Sequence, residues 1–223
     1  MAGIQLLSGG GLTFAGREEA RSLQQVVSVP FGGNAYRVAA FTGTIGAALA
    51  AGSELFQFRF LSGTKTWCLV EKVIYDGLGI VAVATATGPL GFALVPARAW
   101  TAAGSGGTRI AVSGDNLQME TAIGNSQLND MGIATTGALT AGTKTLDANA
   151  IGQALGGIGT AAVTAYGATS VVAPQRLFDM DEAGQPLVLA NQEGFVIRTT
   201  HVGPTALTYT CGFTIQWREV TSF

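Results

Sequence analysis

The sequence predicts an all-β chain: a single antiparallel β-sandwich, jelly-roll-like, with a short N-terminal arm and helix ahead of it. Three observations predict it. Leu207, Tyr209, Cys211, Phe213, Ile215 and Trp217 alternate with Thr208, Thr210, Gly212, Thr214, Gln216 and Arg218, a period of two that suits a strand with one buried face and that no helix can use. About ten runs of strand character follow one another without a strand–helix–strand rhythm, which favours a sandwich over a parallel α/β sheet. Most of these runs are separated by clusters of Gly, Pro, Asn, Asp or Ser, the residues that turns require.

Taken in order, residues 1–29 form an N-terminal segment and residues 30–223 the sandwich. Residues 1–12 read as a loose arm, because Gly9, Gly10 and Gly11 cannot hold a fixed backbone cheaply. Phe14–Val27 is the best helix candidate, with Arg17, Glu18, Glu19, Ala20, Arg21, Leu23, Gln24 and Gln25 mostly good helix formers. Pro30-Phe31-Gly32-Gly33-Asn34 is a turn, after which the β pattern begins. Strong strands are predicted over Glu54–Leu61, with Phe56, Phe58 and Phe60 on one face and Leu55, Gln57 and Arg59 on the other, and over Trp67–Tyr75. Weaker ones are predicted over Ala35–Thr42, Gly79–Thr87, Gly91–Val95, Thr108–Ser113, Leu117–Ile123, Gly132–Thr136, Pro186–Ala190 and Gly194–His201. Thr44–Ala51 is ambiguous. Residues 137–176, rich in Gly, Ala and Thr, read as long loops with one short helix near Ala148–Leu155.

Composition bounds the function. The chain has 223 residues, 48% of them hydrophobic and only 12% charged, about half the usual charged share. That length supports a core without disulfide staples, and the apolarity argues against disorder. A formal charge of −2 argues against a nucleic-acid binder, whose affinity rests on clustered Lys and Arg. The most apolar stretch, Gly79–Pro96, is interrupted by Thr85, Thr87, Gly88, Pro89 and Gly91, so no membrane association is expected. Met1–Phe14 has no Lys or Arg before its apolar residues and does not read as a secretory signal; synthesis and folding in a cytoplasm are expected. Cys68 and Cys211 are too few for a disulfide framework or a cysteine zinc site. Both are expected reduced and buried, although adjacent strands would allow them to pair.

No residue set assembles into recognisable chemistry. His201, the only histidine, would have to serve any Ser-His-Asp or Cys-His arrangement, and it reads instead as a strand-end residue. Gly104-Ser105-Gly106-Gly107-Thr108 lacks the Lys-Ser/Thr of a phosphate loop and reads as a flexible loop. Asp179, Asp181 and Glu182, with Gly184 and Gln185, supply too few oxygens for Ca²⁺ and read as a solvated turn. Glu54, Glu71, Glu120 and Glu193 are scattered. Trp67 and Trp217 lie on apolar strand faces, which leaves Trp100 as the one exposed tryptophan available for stacking on a sugar. No enzymatic activity, cofactor or metal is expected.

Several stretches resemble a group of tailed-bacteriophage virion structural proteins. They are Pro30-Phe31-Gly32-Gly33-Asn34-Ala35-Tyr36-Arg37-Val38-Ala39-Ala40, Ser53-Glu54-Leu55-Phe56-Gln57-Phe58-Arg59, Ala97-Arg98-Ala99-Trp100-Thr101-Ala102 and Ala138-Leu139-Thr140-Ala141-Gly142-Thr143. Pro186-Leu187-Val188-Leu189-Ala190 and Glu193-Gly194-Phe195-Val196-Ile197-Arg198 also fit. The likeness is one of β-rich, Ala/Gly/Thr-rich texture from about Pro30 to Trp217 and carries no functional residues with it. It implies a β-sandwich protein of the virion, on the phage head. The expected function is that of a capsid decoration or cement subunit, a homo-oligomer with a trimer favoured, bound to the major capsid protein. A receptor- or carbohydrate-binding module of a fibre or tail, using Trp100 and Asn116, and a jelly-roll shell protein are the alternatives. Within the arm, Ile4, Leu6 and Leu7 are too apolar for a tail meant to stay in water, and they are the expected subunit or capsid contacts.

Overall fold

The computed structural model describes residues 5–8, 11–14, 34–82, 88–112, 117–119, 126, 128–158, 174–205 and 207–221. The chain divides into two compact units, Met1–Phe31 and Gly32–Phe223.

In the first unit, β1 (Gln5–Ser8) and β2 (Gly11–Phe14) pair antiparallel, with Leu6 opposite Thr13 and Leu7 opposite Leu12. The arm expected to be loose therefore contains a hairpin. Phe14 closes β2, and the rest of the expected helix, residues 15–27, lies outside the described residues, as does Ile4.

The second unit contains β3 (Asn34–Phe41), β4 (Glu54–Phe60), β5 (Trp67–Ala82), β6 (Gly88–Ala102), β7 (Gly107–Arg109), β8 (Leu128–Ala134), β9 (Thr143–Leu146), β10 (Gly152–Ile158), β11 (Gln175–Asp179), the one-turn helix α1 (Met180–Ala183), β12 (Leu187–Leu189), β13 (Glu193–Thr199) and β14 (Thr208–Val220). Two antiparallel sheets pack face to face. One runs β11-β5-β14-β3, with β12 also on β5, and the other runs β10-β6-β13-β4-β8-β7, with β9 on β6.

That order is a jelly roll. Eight strands, β3, β4, β5, β6, β10, β11, β13 and β14, form its framework in chain order. The first lies beside the eighth, the eighth beside the third and the third beside the sixth. In the facing sheet the second lies beside the seventh, the seventh beside the fourth and the fourth beside the fifth. This is the two-Greek-key arrangement of jelly rolls. β7 and β8 are additions that widen the second sheet beyond β4.

The core lies between the sheets and is aromatic. Phe56, Phe58 and Phe60 from β4 face Tyr209, Phe213, Ile215 and Trp217 from β14, and all seven are at most 1% exposed. Phe213 reaches Phe56 at 6.1 Å and Phe92 at 6.0 Å between ring centroids. The alternation in the sequence thus places the large rings inward.

Three expectations need correction. Residues 137–176 are not only loops: β9, β10 and part of β11 fall there, and the helix expected near Ala148–Leu155 is replaced by β10. The physical reason is the free edge of β6, which pairs with every residue from Gly152 to Ile158; Gly152, Gly156 and Gly157 would weaken a helix there. Burial is also not confined to one face. All seven residues of β4 are buried, Gln57 and Arg59 included, because residues 98–106 and 138–150 cover the outer face of the second sheet. Finally, Trp100 is completely buried. Its backbone follows Ala99, whose left-handed φ of 47° interrupts the alternation along β6. Trp100 then packs with Ala93, Val95, Ala97 and Val196, and with Leu146 and Ala150, in a second small core outside the sandwich.

The predicted strand over Leu117–Ile123 is described only at 117–119. There Gln118 bridges Tyr36, and Arg37 N–H donates to the Leu117 carbonyl at 2.8 Å, which lines the edge of β3.

Candidate functional site

The outer face of the second sheet gathers polar side chains that the sequence scatters. β4 places Glu54 and Gln57 three residues apart, and β9 brings Lys144 over them. Gln57 Nε2 donates to Glu54 Oε2 at 2.6 Å and to the Thr140 carbonyl at 2.8 Å. Lys144 Nζ donates to the same Glu54 Oε2 at 2.8 Å and to the Ala141 carbonyl. The Lys144 and Glu54 side chains are only 2% and 6% exposed. Lys144 Nζ also sits 4.5 Å from the centre of the Trp100 ring, a cation–π position. Burial lowers the Lys144 pKa, against the opposing hydrogen bond and charge of Glu54. Gly104 closes the cluster, since a Cβ there would strike the Thr140 carbonyl and the Gln57 amide.

Alongside it, Asp130 on β8 pairs with Arg59 and, at 3.2 Å, with Arg109. Arg59 Nη1 also donates to the Trp100 carbonyl at 3.2 Å. These contacts tie the additions β7 and β8 to β4 and to the loop after β6. The segment Gly104–Thr108, expected to be a flexible loop, is therefore held: Gly107 and Thr108 belong to β7, and Arg109 donates to the Gly104 carbonyl.

The other candidates are separate from this cluster. His201 is exposed just beyond β13, its Nδ1 2.7 Å from the Thr200 hydroxyl. Asp179 is the N-cap of α1, accepting from Asp181 N–H at 3.0 Å. It pairs with Lys72 at 3.5 Å and Arg176 at 3.3 Å, while Glu182 takes Arg176 at 2.6 Å. Hydrogen bonding to Asp181 raises the Lys72 pKa. The acidic cluster is thus an ion-paired helix cap. Glu71 accepts from Arg218 at 2.6 Å and Gln216 at 2.8 Å, and Glu193 from Arg98 at 2.9 Å. Glu120 and Asn116 lie outside the described residues. Among the described residues, no three or more His, Cys, Asp or Glu side chains are grouped to hold a metal ion.

Cys68 and Cys211 are buried and free. Their strands are neighbours, yet register keeps them apart: Cys68 faces Glu219, and Cys211 faces Leu78. Residues 68 and 78 are roughly 30 Å apart along β5 at about 3.3 Å per residue. Burial pushes the Cys211 thiol up to about 12, against the Thr42 hydrogen bond, and raises Cys68 well above the ordinary thiol value, helped by the Glu219 charge. Leu6 and Leu7 lie on β1, in the N-terminal hairpin.

Sequence reasoning missed Gln57 and Lys144. One signal was present: Lys144 is the only Lys or Arg between Arg109 and Arg176. No family model matches the chain, and neither a curated protein nor a solved structure matches it.

Proposed function

We propose that this chain is a structural protein of a tailed-phage virion, a decoration or cement subunit on the outer surface of the head. In this reading it is made in the host cytoplasm, forms a homo-oligomer, with a trimer as the first arrangement to test, and binds neighbouring copies of the major capsid protein. Its action is cohesive and not catalytic.

The observation that carries the reading is how the jelly roll uses its polar groups. Glu54, Glu71, Asp130, Asp179 and Glu193 are each held by a cation, so these carboxylates fasten loops and edges to the sheets. What faces outward includes Phe41, Leu155 and Val202, each at least 60% exposed. Exposed apolar residues in a charge-poor chain suit burial against other subunits, where charged groups are depleted. Jelly rolls also occur in viral capsids, although the same fold serves lectins and other functions. The lectin-like alternative loses its main support, because Trp100 is enclosed and cannot stack on a sugar.

Phage deleted for the gene tests the reading. A decoration subunit predicts heads that still form but rupture at lower temperature or osmotic stress, with the purified protein restoring them. The topology equally suits a single jelly-roll shell protein, and in that case no heads form. Heads of normal stability, with the protein absent from wild-type virions, would refute both.

A further inference from the structure

Two nitrogens of different chemistry converge on one carboxylate oxygen. The Gln57 amide nitrogen lies 2.6 Å from Glu54 Oε2, and the Lys144 amine lies 2.8 Å from the same atom. The three side chains are almost wholly enclosed: Gln57 is 1% exposed, and the Lys144 and Glu54 side chains 2% and 6%. The site holds an amine, a carboxamide and a carboxyl group positioned to exchange protons with both, under a tryptophan ring and out of water.

We propose that Lys144 and Gln57 become joined by an intramolecular isopeptide bond, formed by the folded chain itself with Glu54 as the proton carrier. This inference does not depend on the virion reading. The Lys144 ammonium gives a proton to the Glu54 carboxylate, and the neutral amine attacks Cδ of Gln57. The tetrahedral adduct collapses as Glu54 returns the proton to Nε2. The Cδ–Nε2 bond breaks and the new Cδ–Nζ bond remains. The nitrogen leaves as ammonia and carries off the second amine proton as ammonium, and Glu54 ends as a carboxylate. Atoms and charge balance without an oxidant or a co-reactant.

Three features of the site favour the step. Burial lowers the Lys144 pKa, which raises the share of nucleophilic amine. The Thr140 and Ala141 carbonyls hold the amide and amine nitrogens beside the carboxylate, which limits their motion. The Trp100 ring and Gly104 exclude the water that would compete for the carbonyl. The product staples β4 to β9 and fixes the covering layer on the second sheet, closing a long loop in the unfolded chain.

Peptide mapping of the purified full-length protein tests the proposal. Trypsin should yield Val38–Arg59 joined to Ile110–Arg176, uncut after Lys144 and lighter than the two peptides together by one ammonia. The Lys144→Arg variant should give Val38–Arg59 free at its sequence mass, with the 110–176 segment cut after position 144 into two peptides at theirs. Glu54→Gln should leave them unlinked in protein that retains its β-sheet circular dichroism. If Glu54→Gln fails to fold, the wild-type map still decides. In the wild type, cleavage after Lys144 with Val38–Arg59, Ile110–Lys144 and Thr145–Arg176 all at sequence mass would overturn the proposal and leave a plain buried ion pair. Loss of one water with Lys144 joined to Glu54 would overturn the assignment of Gln57 as acceptor.

Discussion

Phe58 and Trp217 meet edge to face across the sandwich, ring centroids 5.2 Å apart and planes at 83°. Phe58 stacks on Phe195 at 4.7 Å, and Trp217 stacks on Tyr36 at 5.5 Å. The pair therefore links four strands, β13 and β4 in one sheet to β14 and β3 in the other. Aromatic contacts of this geometry add to the stabilisation from burial alone, and they join the two halves of the jelly roll at its centre.

Phe213 occupies the neighbouring layer, within 6.1 Å of Phe56 and Tyr75 and 6.0 Å of Phe92. Phe213→Ala should destabilise the protein by roughly 3–5 kcal/mol, the usual cost of removing a buried ring. Chemical denaturation reads this as a lowered midpoint at unchanged slope. An unshifted midpoint would place Phe213 outside the core.

Two glycines should respond oppositely to alanine. A Cβ on Gly152 would collide with the Leu177 backbone, where β10 passes β11. Gly152→Ala should cost about 1–3 kcal/mol, as overpacking does. Around Gly137 nothing lies within 4 Å of an added Cβ, so Gly137→Ala should be neutral or slightly stabilising through the unfolded chain. Thermal melts of the two variants against wild type check both, and equal midpoints would contradict the packing at Gly152.

The buried thiols set an alkaline limit. Cys211 stays protonated in the folded protein up to about 12, and burial also raises Tyr75 and Tyr209. These acids bind their protons more tightly folded than unfolded. Their contribution is therefore intact below the unfolded values, about 8.5 for a thiol and 10 for a phenol, and is lost as pH rises above them. The melting temperature should fall progressively above about pH 9 from this source. Native protein at pH 8 should resist iodoacetamide and take it up at both cysteines only after unfolding. Rapid labelling of the native state would show that Cys68 or Cys211 is accessible.

His201 is exposed, and its Nδ1 lies 2.7 Å from the hydroxyl of its neighbour Thr200. His201→Ala should change stability by no more than about 0.5 kcal/mol and, under the proposed virion role, leave incorporation into virions intact. A loss of function with the fold unchanged would point to chemistry at this residue and against a purely cohesive role.

The N-terminal hairpin pairs β1 with β2, and a two-stranded ribbon by itself is marginal in water. It carries Leu6 and Leu7, with Ile4 just before it. Burying three such side chains on another subunit would contribute a few kcal/mol per copy at about 25 cal/mol per Å², multiplied by the symmetry of an oligomer or lattice. Deleting residues 2–11 should leave the melting temperature of the isolated subunit nearly unchanged and weaken oligomer or capsid binding. A truncated protein that attaches with native affinity would overturn this role for the arm, and a lowered subunit melting temperature would place the hairpin on its own sandwich.

The strands that meet in the centre were legible in the chain. The alternation from Leu207 to Trp217, and the three phenylalanines of β4, report which side faces the core, since a strand has only two faces and a large ring is stable on one. The sandwich class followed from the number of such runs and the turn residues between them. The second buried face of β4 was not legible. Gln57 and Arg59 look solvent-facing by pattern, and they are covered by segments distant in the chain, where Gln57 donates to the Thr140 carbonyl and Arg59 to the Trp100 carbonyl. Trp100 escaped for a related reason, because one left-handed residue, Ala99, breaks the alternation on which any assignment of its side depends. β10 is a strand through the edge it meets on β6 and not through its own glycine-rich sequence. Lys144 and Glu54 lie 90 residues apart, and no local rule links them. Periodicity records what each residue does relative to its own backbone, whereas contacts between distant segments exist only once the sheets have closed.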